Sequence, residues 1–133
     1  MALKQRISLA IKNKTTTELK IQKAQIEYGR FHAPNDISNE IPRSQVEGQS
    51  IPAGGSFTIN SSGREDAAIG TEGTVYITAD GSEIVKVYWN VPWGAYVNEL
   101  TPTVVSDSYS VNVPEDVPQD GPIGNISVEI SDA

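Results

Sequence analysis

Apolar and polar residues alternate along most of this chain with a period of two, the period of a strand that buries one face. Ile7, Leu9 and Ile11 interleave with Ser8, Ala10 and Lys12. After the polar link Asn13 to Thr17, Leu19 and Ile21 resume the pattern, and Ile26, Tyr28 and Phe31 extend it. Glu18 to Glu27 has the Leu, Lys, Gln and Ala content of a helix, but its alternating flanks, in a chain rich in Thr, Val and Ile, favour strand. Residues 33–49 are polar, with Pro34, Pro42 and Gly48, and predict a long loop or a set of short turns. Phe57 and Ile59 form a short strand. Val75 and Ile77 form another, which Asp80-Gly81, the strongest hairpin signal in the chain, joins to Ile84 to Trp89. Tyr96 to Leu100, Thr103 to Ser106, Tyr109 to Val113 and Ile123 to Ile130 bring the total to about nine or ten short strands. There is no convincing helix and no repeat period, so the pattern predicts a single all-β domain over residues 1–133, a sandwich or barrel.

One stretch departs from alternation. The hairpin's second arm runs into Tyr88-Trp89-Asn90-Val91-Pro92-Trp93-Gly94, which holds both tryptophans of the protein, and Tyr96 follows. Pro92 has no N–H for a sheet ladder and ends the strand. Gly94 lets the backbone turn. Trp89 is therefore predicted on the strand, a position that fills a core, and Trp93 on an exposed loop tip. An exposed tryptophan beside a tyrosine suits a membrane interface or a sugar-binding platform, each apolar at one end and wet at the other.

Composition narrows the functions available. Cysteine is absent, which excludes disulfides, thiolate metal sites and a cysteine nucleophile. No apolar run is long enough for a transmembrane helix, and the start Met1 to Arg6 leads into alternation and not into a signal-peptide core. The net charge is −7. Residues 1–43 carry eight basic and four acidic residues, whereas residues 44–133 carry only Arg64 and Lys86 against thirteen acids. Clustered positive charge for nucleic acid or anionic lipid is missing. The acidic second part reads either as a solvated surface or as a face that meets a basic partner.

Catalytic signals are weak. His32 is the only histidine, with Arg30, Asn35 and Asp36 near it but no nucleophile motif, and reads as a structural hydrogen-bonder at a strand end. Glu65-Asp66 reads as a turn cap or an ion pair with Arg64, and no calcium-loop spacing is present. The glycines at 63, 70 and 73 read as turn positions. The expectation is a protein that is not an enzyme and needs no metal or cofactor.

Three segments in this order resemble one family: Tyr28-Gly29-Arg30-Phe31-His32, Ser62-Gly63-Arg64-Glu65-Asp66-Ala67-Ala68-Ile69-Gly70-Thr71-Glu72-Gly73-Thr74, and Tyr88 to Gly94. Together they look like the aegerolysins, small acidic proteins of fungi and bacteria. The resemblance implies a two-sheet antiparallel β-sandwich of actinoporin-like form with little or no helix. It implies binding to membrane sphingolipids, such as ceramide phosphoethanolamine or sphingomyelin with cholesterol. It also implies a larger perforin-like (MACPF) partner that crosses the bilayer, as in two-component pore-forming cytolysins and bacterial insecticidal toxins. A homodimer is open, and export would proceed without a conventional signal peptide, from the cytoplasm to the target membrane. The lipid-binding residues implied are Trp93, Tyr96, Tyr28, Ile69 and Trp89, with Gly63, Arg64, Asp66 and Gly94 shaping the loops. Trp93 matches a family tryptophan near the headgroup. Tyr28 stands in place of a tryptophan, Ile69 of a glutamate, Tyr96 of a lysine and Arg6 of a tryptophan, and these departures count most against sphingomyelin. The alternative from the residues alone is a lectin-like sandwich binding sugar through Trp93 and Tyr96.

Overall fold

Nearly every alternating stretch forms a strand with its apolar positions inward. The computed structural model describes residues 5–64, 68–94 and 96–133, and places eleven strands in two sheets. The six-stranded sheet has the order β10 (Tyr109–Asn112), β11 (Gly124–Asp132), β1 (Arg6–Lys14), β6 (Ser56–Ser62), β3 (Arg30–Ala33), β4 (Asp36–Ile41). The five-stranded sheet runs β5 (Ser50–Ile51), β2 (Leu19–Tyr28), β7 (Thr71–Ala79), β8 (Ser82–Val91), β9 (Glu99–Val104). Pairing is antiparallel except between β1 and β11, which run parallel. The expected two-sheet sandwich is thus the observed fold, with one parallel pair that alternation could not reveal.

The core lies between the sheets. Ile7, Leu9 and Ile11 of β1 and Ile126, Val128 and Ile130 of β11 meet Val75 and Ile77 of β7 and Val85, Val87 and Trp89 of β8, all buried. Each such side chain contributes about 1.5–3 kcal/mol relative to exposure. At the β7–β8 turn Asp80 and Gly81 both take positive φ, 51° and 79°, the backbone that a tight two-residue hairpin demands.

Two loop readings are corrected. Residues 33–49 contain β4 and a short 3-10 turn, Arg43–Gln45. β4 is a polar edge strand with no fully buried residue, so it lacks the alternation by which strands are recognised. The predicted break between Leu100 and Thr103 does not occur. Pro102 sits inside β9, which among the described residues pairs only with β8 and so tolerates a residue that cannot donate.

A buried polar chain ties the two sheets together. Trp89 Nε1 donates to Thr71 Oγ1 at 3.0 Å, Thr71 and Ser61 hydroxyls lie 2.5 Å apart, and Ser61 Oγ donates to the Arg30 carbonyl at 2.7 Å. One direction of donation satisfies every link, from Trp89 on β8 to Arg30 on β3. Buried polar groups remain cheap only when all are paired in this way.

Candidate functional site

The row Tyr28, Glu72, Asn90 crosses β2, β7 and β8, each residue paired with the next. It lies near the end of the five-stranded sheet, where β8 gives way to the loop of Trp93 and Tyr96. Tyr28 is 56% exposed, Trp93 46% and Tyr96 71%. With Ile69 and Pro92 they surround a cleft of about 210 Å³, whose polar lining includes Glu72 and Asn90.

Backbone contacts hold this loop at both ends. Gly70 passes so close to the end of β8 that a Cβ there would lie 1.8 Å from the Val91 carbonyl oxygen. Only glycine permits that approach. Gln5 Nε2 donates to the Pro92 carbonyl at 2.5 Å. Beyond the loop, the Asn98 side chain donates to the carbonyls of Pro118 and Gly121, each at 2.9 Å, and its backbone N–H donates to Gln119. Gly94 has φ 96°, as the expected turn requires.

Glu72 gives the cleft a carboxylate. The Tyr88 hydroxyl, on the same outer face, donates to it. Burial and then the bond to Glu72 and its charge push the Tyr88 phenol up to about 12. At neutral pH Tyr88 therefore stays a donor and Glu72 keeps a fixed orientation.

Four of the five residues expected at the lipid face, Trp93, Tyr96, Tyr28 and Ile69, line this one cleft. The fifth does not. Trp89 is 0% exposed, and its ring packs edge-on to Phe31 at 6.4 Å. It shares parity with Val85, Val87 and Val91, all of which point inward, so it cannot touch a lipid and instead supports the site from below. Gly73 is not at a turn as expected. It lies in β7 under Trp89, where a Cβ would come within 2.6 Å of the indole.

Among the loop residues, Gly63 is buried and donates to the Gln5 carbonyl at 3.0 Å. Arg64 pairs with Glu40 at 3.1 Å, an exposed contact of small energetic weight. Asp66, with Glu65, lies outside the described residues. Arg6 lies on the other sheet and lines a different cleft. Among the described residues no cluster of ligands for a metal ion occurs. Glu72, Tyr88, Gln5 and Asn98 went unrecognised in the sequence. The signal for Glu72 was available, since it falls at the site end of the strand that holds Val75 and Ile77.

His32 is 6% exposed, and its Nδ1 lies 2.9 Å from the Ala33 carbonyl, the structural role expected of it. Burial holds its pKa below the ordinary value, with Arg30 and Arg6 acting in the same direction and Ala33 and Asp36 opposing. The folded state thus binds a proton less readily than the unfolded one. Its contribution is fully present above about pH 6.5 and is lost as pH falls from there toward the folded-state value. The unfolding midpoint should fall between about pH 7.5 and about pH 5.5, and His32→Gln should reduce that fall. An equal fall in both proteins would contradict this.

The Aegerolysin family profile matches residues 4–133. This chain belongs to the aegerolysin family. Asp-hemolysin of Aspergillus fumigatus is 31% identical over 120 residues, which cover 90% of this chain and 86% of that protein. Ostreolysin A6 of Pleurotus ostreatus is 31% identical over 132 residues, 97% of this chain and 96% of that one. The crystal structure of IP-1A from Alcaligenes faecalis superposes with a TM-score of 0.88 at 31% identity, covering 98% of this chain and 93% of that chain. Aegerolysins are known for lipid binding and cytolysis and are not enzymes. In this aegerolysin Tyr28, Ile69, Trp93 and Tyr96, expected at the lipid face from the family resemblance, converge on one cleft, whereas Trp89 is buried.

Proposed function

We propose that this aegerolysin recognises the headgroups of membrane sphingolipids, ceramide phosphoethanolamine foremost, through the cleft of Tyr28, Trp93 and Tyr96. It would serve as the recognition subunit of a two-component pore-forming cytolysin, acting outside the producing cell with a larger perforin-like partner. The observation that carries this reading is the convergence of three exposed aromatic side chains around a cleft that also holds a carboxylate. Aromatic rings with polar edges gain at a membrane interface by burying the ring while the edge stays hydrated. The same rings and Glu72 attract a cation, and the ammonium of an ethanolamine headgroup supplies one. Ile69 contributes no charge, which leaves Glu72 as the acidic partner.

Flotation with vesicles tests this. Binding to ceramide phosphoethanolamine vesicles, unaffected by free sugars, supports the lipid reading, and Glu72→Gln should weaken it by about tenfold, the effect of losing a charge-assisted contact. Sugar-competed binding that needs no sphingolipid would replace the lipid reading with a lectin.

The partner reading rests on charge. Lys86 is the last basic residue of the chain, and ten of the acids follow Glu65 and Asp66 in sequence. Complementary charge mainly speeds encounter and is screened by salt. Two-component lysis should therefore fall as ionic strength rises while lipid binding of this chain alone changes less. Equal salt sensitivity of the two would contradict docking through the acidic surface.

A further inference from the structure

We propose that the outer face of the six-stranded sheet carries a second binding site, for a neutral hydroxyl-rich ring such as a hexose. A cleft of about 560 Å³ opens there, and among the described residues it shares no lining residue with the aromatic cleft. Its floor is a row of short polar side chains, because Ser8 of β1 pairs in register with Asn60 of β6 on one side and Asn125 of β11 on the other. These are the outward positions of strands whose inward positions are Ile7, Leu9, Ile59 and Ile126.

The polar groups leave a specific demand. Ser8 Oγ donates to Asn60 Oδ1 at 2.8 Å, which directs the Asn60 amide group and orients it. At the side of the row, His32 places Nδ1 against the Ala33 carbonyl. A carbonyl only accepts, so Nδ1 carries the proton and Nε2 is an acceptor. Nε2 is buried and has no partner among the described residues, a state that native proteins rarely leave unanswered. His32 lines the cleft, so a small rotation of its ring lets a ligand's donor, directly or through one bridging water, answer it.

Charge selects the ligand class. Arg6 lines the cleft and opposes a cation. Asp36 lines it too and, with the lone pair of Nε2, opposes an anion. Burial and the two nearby arginines keep His32 from protonating to relieve that opposition. A hydroxyl both donates and accepts, so a ring bearing several can satisfy Arg6, Nε2 and the asparagine amides together. Pro34 and Ile37 form an apolar wall for its C–H face.

The single histidine makes the test direct. The imidazole nitrogens of the full chain, labelled with nitrogen-15, are observed while methyl glycosides of common hexoses are titrated at neutral pH. The expected result is a saturable shift of Nε2 with a millimolar Kd for at least one glycoside. Asn60→Ala and Asn125→Ala should each weaken it by about tenfold, the second at an exposed position with no cost in folding, and Trp93→Ala should leave it unchanged. No imidazole shift with any glycoside would overturn the proposal. So would a shift produced by inorganic phosphate alone, which would indicate an anion site, or saccharide binding abolished by Trp93→Ala, which would move the sugar to the aromatic cleft.

Discussion

Trp93→Ala is expected to weaken binding to ceramide phosphoethanolamine vesicles by about 2 kcal/mol, roughly thirtyfold, the cost of truncating an aromatic anchor. The indole is half exposed on a loop that begins only where Pro92 has ended β8. It therefore contributes little to the core, and stability should change by no more than about 0.5 kcal/mol. The two readings separate cleanly in one pair of experiments, vesicle flotation and urea unfolding. An unfolded variant would make Trp93 a core residue. A folded variant that binds vesicles normally would remove this loop from the lipid site.

Four residues earlier the same side chain should behave in the opposite way. Trp89→Ala is expected to cost about 3–5 kcal/mol of stability, a large share of the roughly 5–15 kcal/mol that holds a typical domain together. The ring is fully buried, packs edge-on against Phe31, and fits over Gly73. Its removal opens a cavity between the sheets and strips Thr71 of the donor that starts the polar chain to Arg30. The lowered urea midpoint is the measurement. A change below about 1 kcal/mol would mean that the core collapses into the space, and that Trp89 supports neither the fold nor the cleft above it.

The contrast between these two tryptophans shows how far the sequence carries. Parity along β8 puts Trp89 with Val87 and Val91, and Pro92 ends that parity before Trp93, so both placements follow from local rules. The strands of the core are legible for the same reason. β4 is not, because a polar edge strand buries no alternate face. The parallel pairing of β1 with β11 is not legible either, since register between the two ends of a chain leaves no local trace. Within the site, the convergence of Tyr28 and Ile69 on Trp93 came from family resemblance. Glu72 was within reach of alternation, but its role depends on Tyr88 and Asn90 across the sheet. The glycines illustrate the limit most clearly. Gly94 serves a turn, as its neighbours suggest, whereas Gly70 and Gly73 are dictated by the Val91 carbonyl and the Trp89 ring, which are distant in sequence.

The central claim is that Trp93 enters the membrane interface while Trp89 stays in the core. Quenching of tryptophan fluorescence by vesicles of ceramide phosphoethanolamine mixed with lipids brominated near the headgroup tests it directly. The wild-type emission should be quenched in part on binding. Trp93→Phe, which keeps an aromatic anchor and leaves Trp89 as the one emitter, should bind and lose that quenching. Quenching that persists undiminished in Trp93→Phe, or none in the bound wild type, would contradict the assignment of this loop to the membrane.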